Sequence, residues 1–124
     1  AQAKIKMKAL AEKVANEMGG SCNYVIENGY PFLVNDATTT TRAWKAAEEY
    51  LGKENVEELP LRMTAEDFAF YSQKIPACFY RLGTANKAKG ITSGVHTATF
   101  DIDEKALEIG AGLLAWLAVN ELEG

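Results

Sequence analysis

The first thirty residues of the chain form too small a unit to bury their own apolar side chains. Apolar residues recur at three- and four-residue spacing over residues 1–18, which predicts a helix, and Gly19-Gly20 predicts its end. Residues 21–26 predict a strand, and the sequence ENGYP at 27–31 predicts a turn. One helix and one strand do not make a stable core. We therefore expect this part of the chain to pack on a sheet formed elsewhere.

The remainder of the chain is predicted to contain three more helices and two more strands. The helices are expected over about residues 39–51, 63–75 and 102–122, and the strands over residues 56–61 and 77–82. A polar segment with two glycines, residues 84–99, precedes the last helix. Long loops of this kind in compact domains are usually functional or disordered.

The charge balance excludes one large class of partner. Lys and Arg number 13 against 17 for Asp and Glu, which gives a formal net charge of −4 and an isoelectric point near 5.0. A nucleic-acid-binding domain needs a basic face to neutralise phosphates. We therefore expect no nucleic acid partner.

No membrane partner and no signal peptide are expected either. The longest run without a charged side chain, residues 109–120, is well short of the roughly 20 apolar residues that span a bilayer. The basic N-terminal segment meets charged residues before any hydrophobic region of a signal peptide begins. Cys22 and Cys78 stand apart, which is typical of reduced thiols in a cytoplasmic protein. The first residue is not Met, which is consistent with a piece of a longer protein.

His96 is the single histidine and lies in the polar segment before the last helix. By itself, a histidine in a polar loop is more often a surface residue than a ligand, and a zinc site needs three or four donors. Cys22 and Cys78 are also donor types, but cysteines in strands are usually buried. A Ser-His-Asp triad is poorly supported, because the sequence has no G-x-S-x-G motif.

Glu66 and Asp67 form a second candidate site, at the predicted start of a helix. Their position at the positive end of the helix dipole explains both acids without any function. The start of a helix is also a natural place to meet an anionic group. Spacing alone leaves both interpretations open and favours the structural one.

Three motifs in order give the chain a resemblance to a known family. They are MTAEDF at residues 63–68, PACFYRLG at 76–83 and HTATFDIDEKAL at 96–107. Together they resemble the C-terminal third of the M20 metallopeptidase/amidohydrolase family, and most closely its N-acyl-amino-acid and auxin-conjugate amidohydrolases. The sequence GYPFLVND upstream is similar to that family's exit from its inserted lid domain.

The resemblance implies an α/β fold, as the C-terminal fragment of a two-domain metallohydrolase. Residues 1–34 would be the closing helix and strand of the lid, which often dimerises, and residues 35–124 the last part of the catalytic domain. The family's C-terminal metal-ligand histidine falls on His96. Met63, Glu66 and Asp67 would line the active site.

The resemblance also implies what the whole enzyme does. It would hydrolyse the amide bond of a small N-acyl-amino acid or peptide with water activated by divalent metal ions, such as zinc or manganese. The resemblance places the family's Cys-Gly-His-Asp motif, its catalytic Glu-Glu pair and its second histidine outside these 124 residues, which contain a single histidine and no Cys-Gly-His-Asp sequence. We therefore expect this chain to be inactive alone, to hold no metal by itself and to self-associate through its unpaired lid elements.

Two other functions remain open at this point. The chain could be a free-standing noncatalytic module that oligomerises or binds a partner through the apolar face of its first helix. It could also be a small autonomous enzyme that uses Glu66 and His96, although no supporting residues are visible for this.

Overall fold

Four α-helices organise the computed structural model, which describes residues 2–123. They are α1 (Gln2–Glu17), α2 (Ala37–Leu51), α3 (Ala69–Ser72) and α4 (Lys105–Glu123), with 3₁₀ turns at Lys53–Asn55 and Lys87–Lys89. The chain packs as two units, Ala1–Tyr30 and Pro31–Gly124. Assignment of residues 1–34 to a lid and 35–124 to a catalytic domain stays a prediction. Within the described residues, no helix is long and apolar enough to cross a membrane.

A left-handed glycine ends α1, as the sequence predicts. Gly19 has φ 76° and donates from its N–H to the carbonyl oxygen of Asn16 at 3.0 Å. Gly20 donates to the carbonyl oxygen of Ala15 at 2.9 Å. These two bonds form a Schellman motif, which needs a positive φ at its centre. The first residue of the helix predicted over 1–18 lies outside the described residues.

The first unit lacks a core of its own. Helix α1 buries none of its side chains, and Met7, Leu10 and Val14 are 55%, 62% and 45% exposed. Their spacing places these three residues on one face of the helix. The Lys4 ammonium group donates a hydrogen bond to the side chain of Asn28 and so links the helix to the segment that follows it.

Helix α2 is capped by Asp36 and not by the threonines that follow it. The Asp36 carboxylate accepts a hydrogen bond from the backbone N–H of Thr39 at 2.8 Å, and this bond lowers the carboxylate pKa because it favours the charged form. Thr40 donates instead to the Asp36 carbonyl oxygen at 2.6 Å. The helix therefore begins at Ala37, slightly before the predicted start, and ends at Gly52 with φ 87°.

Helices α2 and α4 pack against each other in antiparallel directions. Arg42, early in α2, pairs with Glu121, late in α4, through an Nε–Oε2 distance of 2.9 Å. Tyr50, late in α2, meets Gly112 in the first half of α4. The ion pair raises the pKa of Arg42 and lowers that of Glu121. Both side chains are 46% exposed, so the pair adds little to stability.

The core of the second unit is small and lies mainly between these two helices. Ala46 on α2 and Ala106 and Leu113 on α4 are buried. The Tyr50 and Trp116 rings stack at their edge with centroids 6.4 Å apart. Small residues at the contact allow the two helix backbones to approach closely, so the pairing depends on shape more than on buried area.

Aromatic rings supply the packing around α3. The rings of Phe68 and Phe79 lie with centroids 5.6 Å apart, and those of Phe68 and Tyr71 are 5.8 Å apart. The neighbouring Ala69 and Ala77 are buried. Aromatic pairs in this range add a modest attraction beyond their buried area.

No β-strand forms in the described residues, so the α/β class that the resemblance implies is not confirmed by the structure. The segments predicted as strands, residues 21–26, 56–61 and 77–82, have no regular secondary structure. An isolated antiparallel bridge joins Asn86 and Ile91. The prediction rested on apolar alternation, whereas a strand also needs a neighbour that pairs with its backbone groups.

At Phe79, the Asn35 side chain forms the two backbone hydrogen bonds that a neighbouring strand would otherwise form. Its amide nitrogen donates to the carbonyl oxygen of Phe79 at 2.9 Å, and its oxygen accepts from the Phe79 N–H at 2.8 Å. The Asp36 N–H donates to the carbonyl oxygen of Ala77 at 2.9 Å. The backbone groups of residues 77 and 79 thus find partners without a second strand.

The third and fourth helices begin later than predicted. Helix α3 is the single turn Ala69–Ser72, and Thr64 makes no capping hydrogen bond in the part of the chain that the structure describes. Helix α4 begins at Lys105, whose N–H donates to the Asp103 carboxylate at 3.3 Å. Residues 101–104, DIDE, resemble a capping box that predicts the helix start at 102. The helix instead begins three residues later, and Asp103 is the residue whose carboxylate reaches its first N–H.

We predict that Gly112→Ala destabilises the chain by about 1 kcal/mol or more, as overpacking does. A Cβ atom at this position would collide with the Tyr50 hydroxyl group and would lie 2.8 Å from its Cζ atom. In a Tyr50→Ala background the same change should instead stabilise by up to about 1 kcal/mol, because Ala is the better helix former. Thermal unfolding of the four variants measures both effects. A stabilising Gly112→Ala in the wild-type background would contradict the packing described here.

Candidate functional site

A loop that is closed at its base carries His96. Asn86 and Ile91 exchange two backbone hydrogen bonds of 2.8 and 2.9 Å where the loop begins. The Asn86 side chain also accepts from the N–H groups of Ala88 and Lys89 at 3.1 and 3.3 Å, and this fixes the 3₁₀ turn between them. These hydrogen bonds hold the backbone of residues 86–91 in place.

Asp103 closes the other end of this loop. Its carboxylate accepts hydrogen bonds from the Asn86 amide and from the Lys89 ammonium group, the latter at 2.7 Å, and its N–H donates to the carbonyl oxygen of Thr84 at 2.9 Å. Residues 84–89 and 103 are thereby held together at the start of α4.

The same bonds hold the pKa of Asp103 at about 2, first through Asn86 and then through Lys89. Since this value lies below the ordinary 3.8, the stabilisation is present above about pH 4 and is lost as the pH falls toward 2. The loop base is therefore closed across the neutral range.

Further hydrogen bonds join the two sides of the loop near its tip. The hydroxyl groups of Ser93 and Thr99 are 2.8 Å apart, and the Thr97 hydroxyl group donates to the carbonyl oxygen of Gly94 at 2.8 Å. The Phe100 N–H donates to the Thr97 carbonyl oxygen at 3.2 Å. His96 lies inside the innermost of these turns.

His96 has a left-handed backbone conformation, with φ 64°, and is the single non-glycine residue with positive φ among residues 2–123. This conformation costs an L-residue roughly 1–2 kcal/mol. The side chain is exposed and makes no hydrogen bond or ion pair with any described residue. The imidazole can therefore accept an external ligand, and its strained backbone is a reason to suspect function.

Glu66 pairs with Arg81 and not with His96. The closest atoms of the pair, Arg81 Nη2 and Glu66 Oε1, are 3.6 Å apart, and the side chains are 37% and 31% exposed. Such a long, partly solvated pair contributes little to stability. Glu66 keeps room to make another contact.

Met63 and Asp67 are both exposed, Met63 to 95%. The Asp67 carbonyl oxygen accepts a hydrogen bond from the Phe70 N–H at 3.0 Å and so helps to start α3. No hydrogen bond or ion pair of the described chain joins either residue, or Glu66, to His96. Their place beside a common active site stays a prediction.

The described residues do not form a metal centre by themselves. A metal site needs three or four donors, and no group of three His, Cys, Asp or Glu side chains comes together within residues 2–123. His96 can supply one nitrogen. A complete site needs further donors from outside this chain, so no step through a metal can be derived from these residues.

Two residues of the loop base were not singled out by sequence reasoning. Asn86 precedes a lysine-rich turn, and Asp103 lies in the sequence DIDE at 101–104, which resembles a capping box. The signal for Asn86 is its preference for turns, in which it accepts bonds from nearby backbone N–H groups. A bond between positions 86 and 103 has no local sequence signal.

Residues 4–120 match peptidase family M20/M25/M40. The chain belongs to this family. The resemblance based on the three ordered motifs is thereby confirmed.

Curated M20 relatives cover most of the chain. An IAA-amino acid hydrolase of Arabidopsis thaliana is 39% identical over 93 residues, which is 75% of this chain and 20% of that protein. A putative amidohydrolase of Bacillus subtilis is 31% identical over 115 residues, 93% of this chain and 29% of that protein. The thermostable carboxypeptidase 2 of Saccharolobus solfataricus is 31% identical over 120 residues, 96% of this chain and 30% of that protein.

The chain thus spans between a fifth and a third of the length of these M20 relatives. No solved structure matches it.

We predict that His96→Val is less stable than His96→Asn by about 1 kcal/mol, because Asn tolerates the left-handed region and a β-branched residue does not. Thermal unfolding of the two variants measures the difference. The neighbouring exposed Val95 has no positive φ, so Val95→Asn should leave stability nearly unchanged. Equal stability of the two His96 variants would show that the loop relaxes out of the left-handed conformation.

Proposed function

We propose that this chain is the C-terminal portion of a metal-dependent amidohydrolase that acts on N-acyl-amino acids. The observation that carries the proposal is the placement of His96. It lies at the tip of a closed loop, exposed and without a hydrogen-bond or ion-pair partner among the described residues. By resemblance of the motif at 96–107, the M20 family's C-terminal metal-ligand histidine falls on this residue. The names of the Arabidopsis and Bacillus relatives support an amide-bond substrate.

In this proposal, His96 supplies one ligand to a divalent metal such as zinc or manganese. The metal would polarise the scissile carbonyl group and activate water. The remaining ligands and the general base would come from residues outside this chain. Met63, Glu66 and Asp67 would line the pocket, where the Glu66–Arg81 pair is weak enough to rearrange around a small N-acyl-amino acid or peptide.

We predict that the 124-residue chain does not hydrolyse N-acetyl- or N-benzoyl-amino acids with added zinc, manganese or cobalt, because one imidazole cannot hold a metal ion. The chain should gain activity when it is completed by the N-terminal part of the Bacillus relative that it does not cover. In this completed protein, His96→Ala should lower metal content or rate by about tenfold or more, a loss seen even for residues beyond the metal ligands.

Val95→Ala in the completed protein is the matched control and should leave both quantities unchanged. Metal-dependent turnover by the 124-residue chain, abolished by His96→Ala, would contradict the proposed incomplete site. A completed protein with full metal content and rate after His96→Ala would show that the histidine has another role.

Self-association through α1 is part of the same proposal. The exposed residues Met7, Leu10 and Val14 form a continuous stripe, and exposed apolar patches of this kind favour association. The noncatalytic alternative, an oligomerisation or partner-binding module, would use the same stripe. A cytoplasmic location, expected from the two cysteines, also stays a proposal.

We predict that Leu10→Glu shifts the chain from dimers or larger species toward monomers, because it places a charge in the centre of the stripe. Light scattering at increasing concentration measures the change. Asn16→Glu is the control, since Asn16 is exposed and its spacing places it away from the stripe. A wild-type chain that stays monomeric at high concentration would rule out this association.

A further inference from the structure

We propose that Asp103 is the positioning residue for His96. By binding Asn86 and Lys89, its carboxylate fixes both ends of the loop and so sets where the imidazole is presented. The proposal deepens the proposed function and rests on it for the role of His96 itself, but the geometry of the loop stands without it.

Asp103 connects the loop to a packed element. Two residues after it, α4 begins, and Ala106 and Leu113 of this helix are buried. The other end of the loop is anchored on the same helix, because Leu82 Cδ2 lies 2.8 Å from where a Cβ atom of Gly110 would be. The two ends of the loop therefore share one rigid support.

Among residues 2–123, no other hydrogen bond or packing contact attaches the tip of the loop to the rest of the protein. Every residue from 94 to 101 is exposed, so apolar packing cannot fix this segment. The bonds between Ser93 and Thr99 and between Gly94 and Thr97 join loop residues only to each other. They shape the tip, but they do not fix its position on the protein.

The Asp103 carboxylate binds the loop with both of its oxygen atoms. One oxygen of Asp103 accepts from the Asn86 amide, and the other accepts from the Lys89 ammonium group at 2.7 Å. The side chain is only 14% exposed, whereas that of Lys89 is 60% exposed. Hydrogen bonds to an ionised acceptor are stronger than neutral ones. An anchor of this kind can maintain the left-handed backbone at His96, which persists only when its surroundings enforce it.

The test uses NMR of the 124-residue chain, in which His96 is the single histidine and gives one set of ring signals. Exchange of the hydrogen-bonded loop amides, those of residues 86, 88–91 and 100, and the His96 ring shifts are compared in wild type, Asp103→Ala, Asn86→Asp and the reciprocal swap Asn86→Asp/Asp103→Asn. Asn86→Asp places two carboxylates against each other, and the swap restores an amide–carboxylate bond in the opposite direction. Glu108→Gln is the matched control, because it breaks the exposed Lys105–Glu108 pair on the same helix.

Asp103→Ala and Asn86→Asp should accelerate exchange of the loop amides by about tenfold or more, as expected for losing a hydrogen bond to a charged group. They should also move the His96 signals toward those of an unstructured peptide, while the α2 and α4 amides keep their protection. The swap should restore the wild-type signals, and Glu108→Gln should not alter them.

Unchanged loop exchange and ring shifts in both single variants would overturn the proposal, and so would a swap that restores nothing. If Asp103→Ala unfolds the chain, Asn86→Asp and the swap decide the question. The readout needs neither metal nor activity. A loop that responds as expected, together with a completed protein that does not depend on His96, would reject the proposed function alone. An unresponsive loop in a His96-dependent protein would reject the positioning role alone.

Discussion

The second unit depends on the close approach of α2 and α4. Tyr50 occupies the space that a side chain at residue 112 would fill, and the buried residues on both helices are mostly alanines. Close approach of this kind requires small residues, since one added methyl group in a tight contact forces the neighbours to move. This contact fixes the position of α4. It therefore also fixes the N-terminal end of that helix and the loop residues that are hydrogen-bonded there.

Hydrogen bonds, and not apolar packing, attach the candidate site to the N-terminal end of α4. The Asp103 carboxylate, at the C-terminal end of the loop, binds Asn86 and Lys89 at its N-terminal end. Nearer the tip, hydrogen bonds of the Ser93, Thr97 and Thr99 hydroxyl groups close smaller turns around His96. Bonds of this kind define geometry without covering the side chain they position. The imidazole is thereby both placed and open to solvent, which suits a ligand that has to meet donors from another part of a protein.

Sequence reasoning located the helices well and the strands poorly. Gly19 and Gly52 end their helices where glycine's tolerance of positive φ predicts, because helix termination is encoded locally. The predicted strand at residues 77–82 did not form, because a strand requires a partner that alternation of residue types cannot supply. His96 is a candidate because of its motif, whereas the bond between Asn86 and Asp103 joins residues distant in sequence and has no local sequence signal.

The scarcity of buried side chains has a thermodynamic consequence. Within residues 2–123 only Leu113 among the larger apolar residues is buried, and 24 large apolar side chains are exposed. Unfolding therefore brings little additional apolar surface into contact with water, and both its heat-capacity change and its sensitivity to denaturant scale with that surface. We therefore expect a shallow stability curve for this chain, with a broad transition on heating. Covering the exposed faces with further protein would sharpen it.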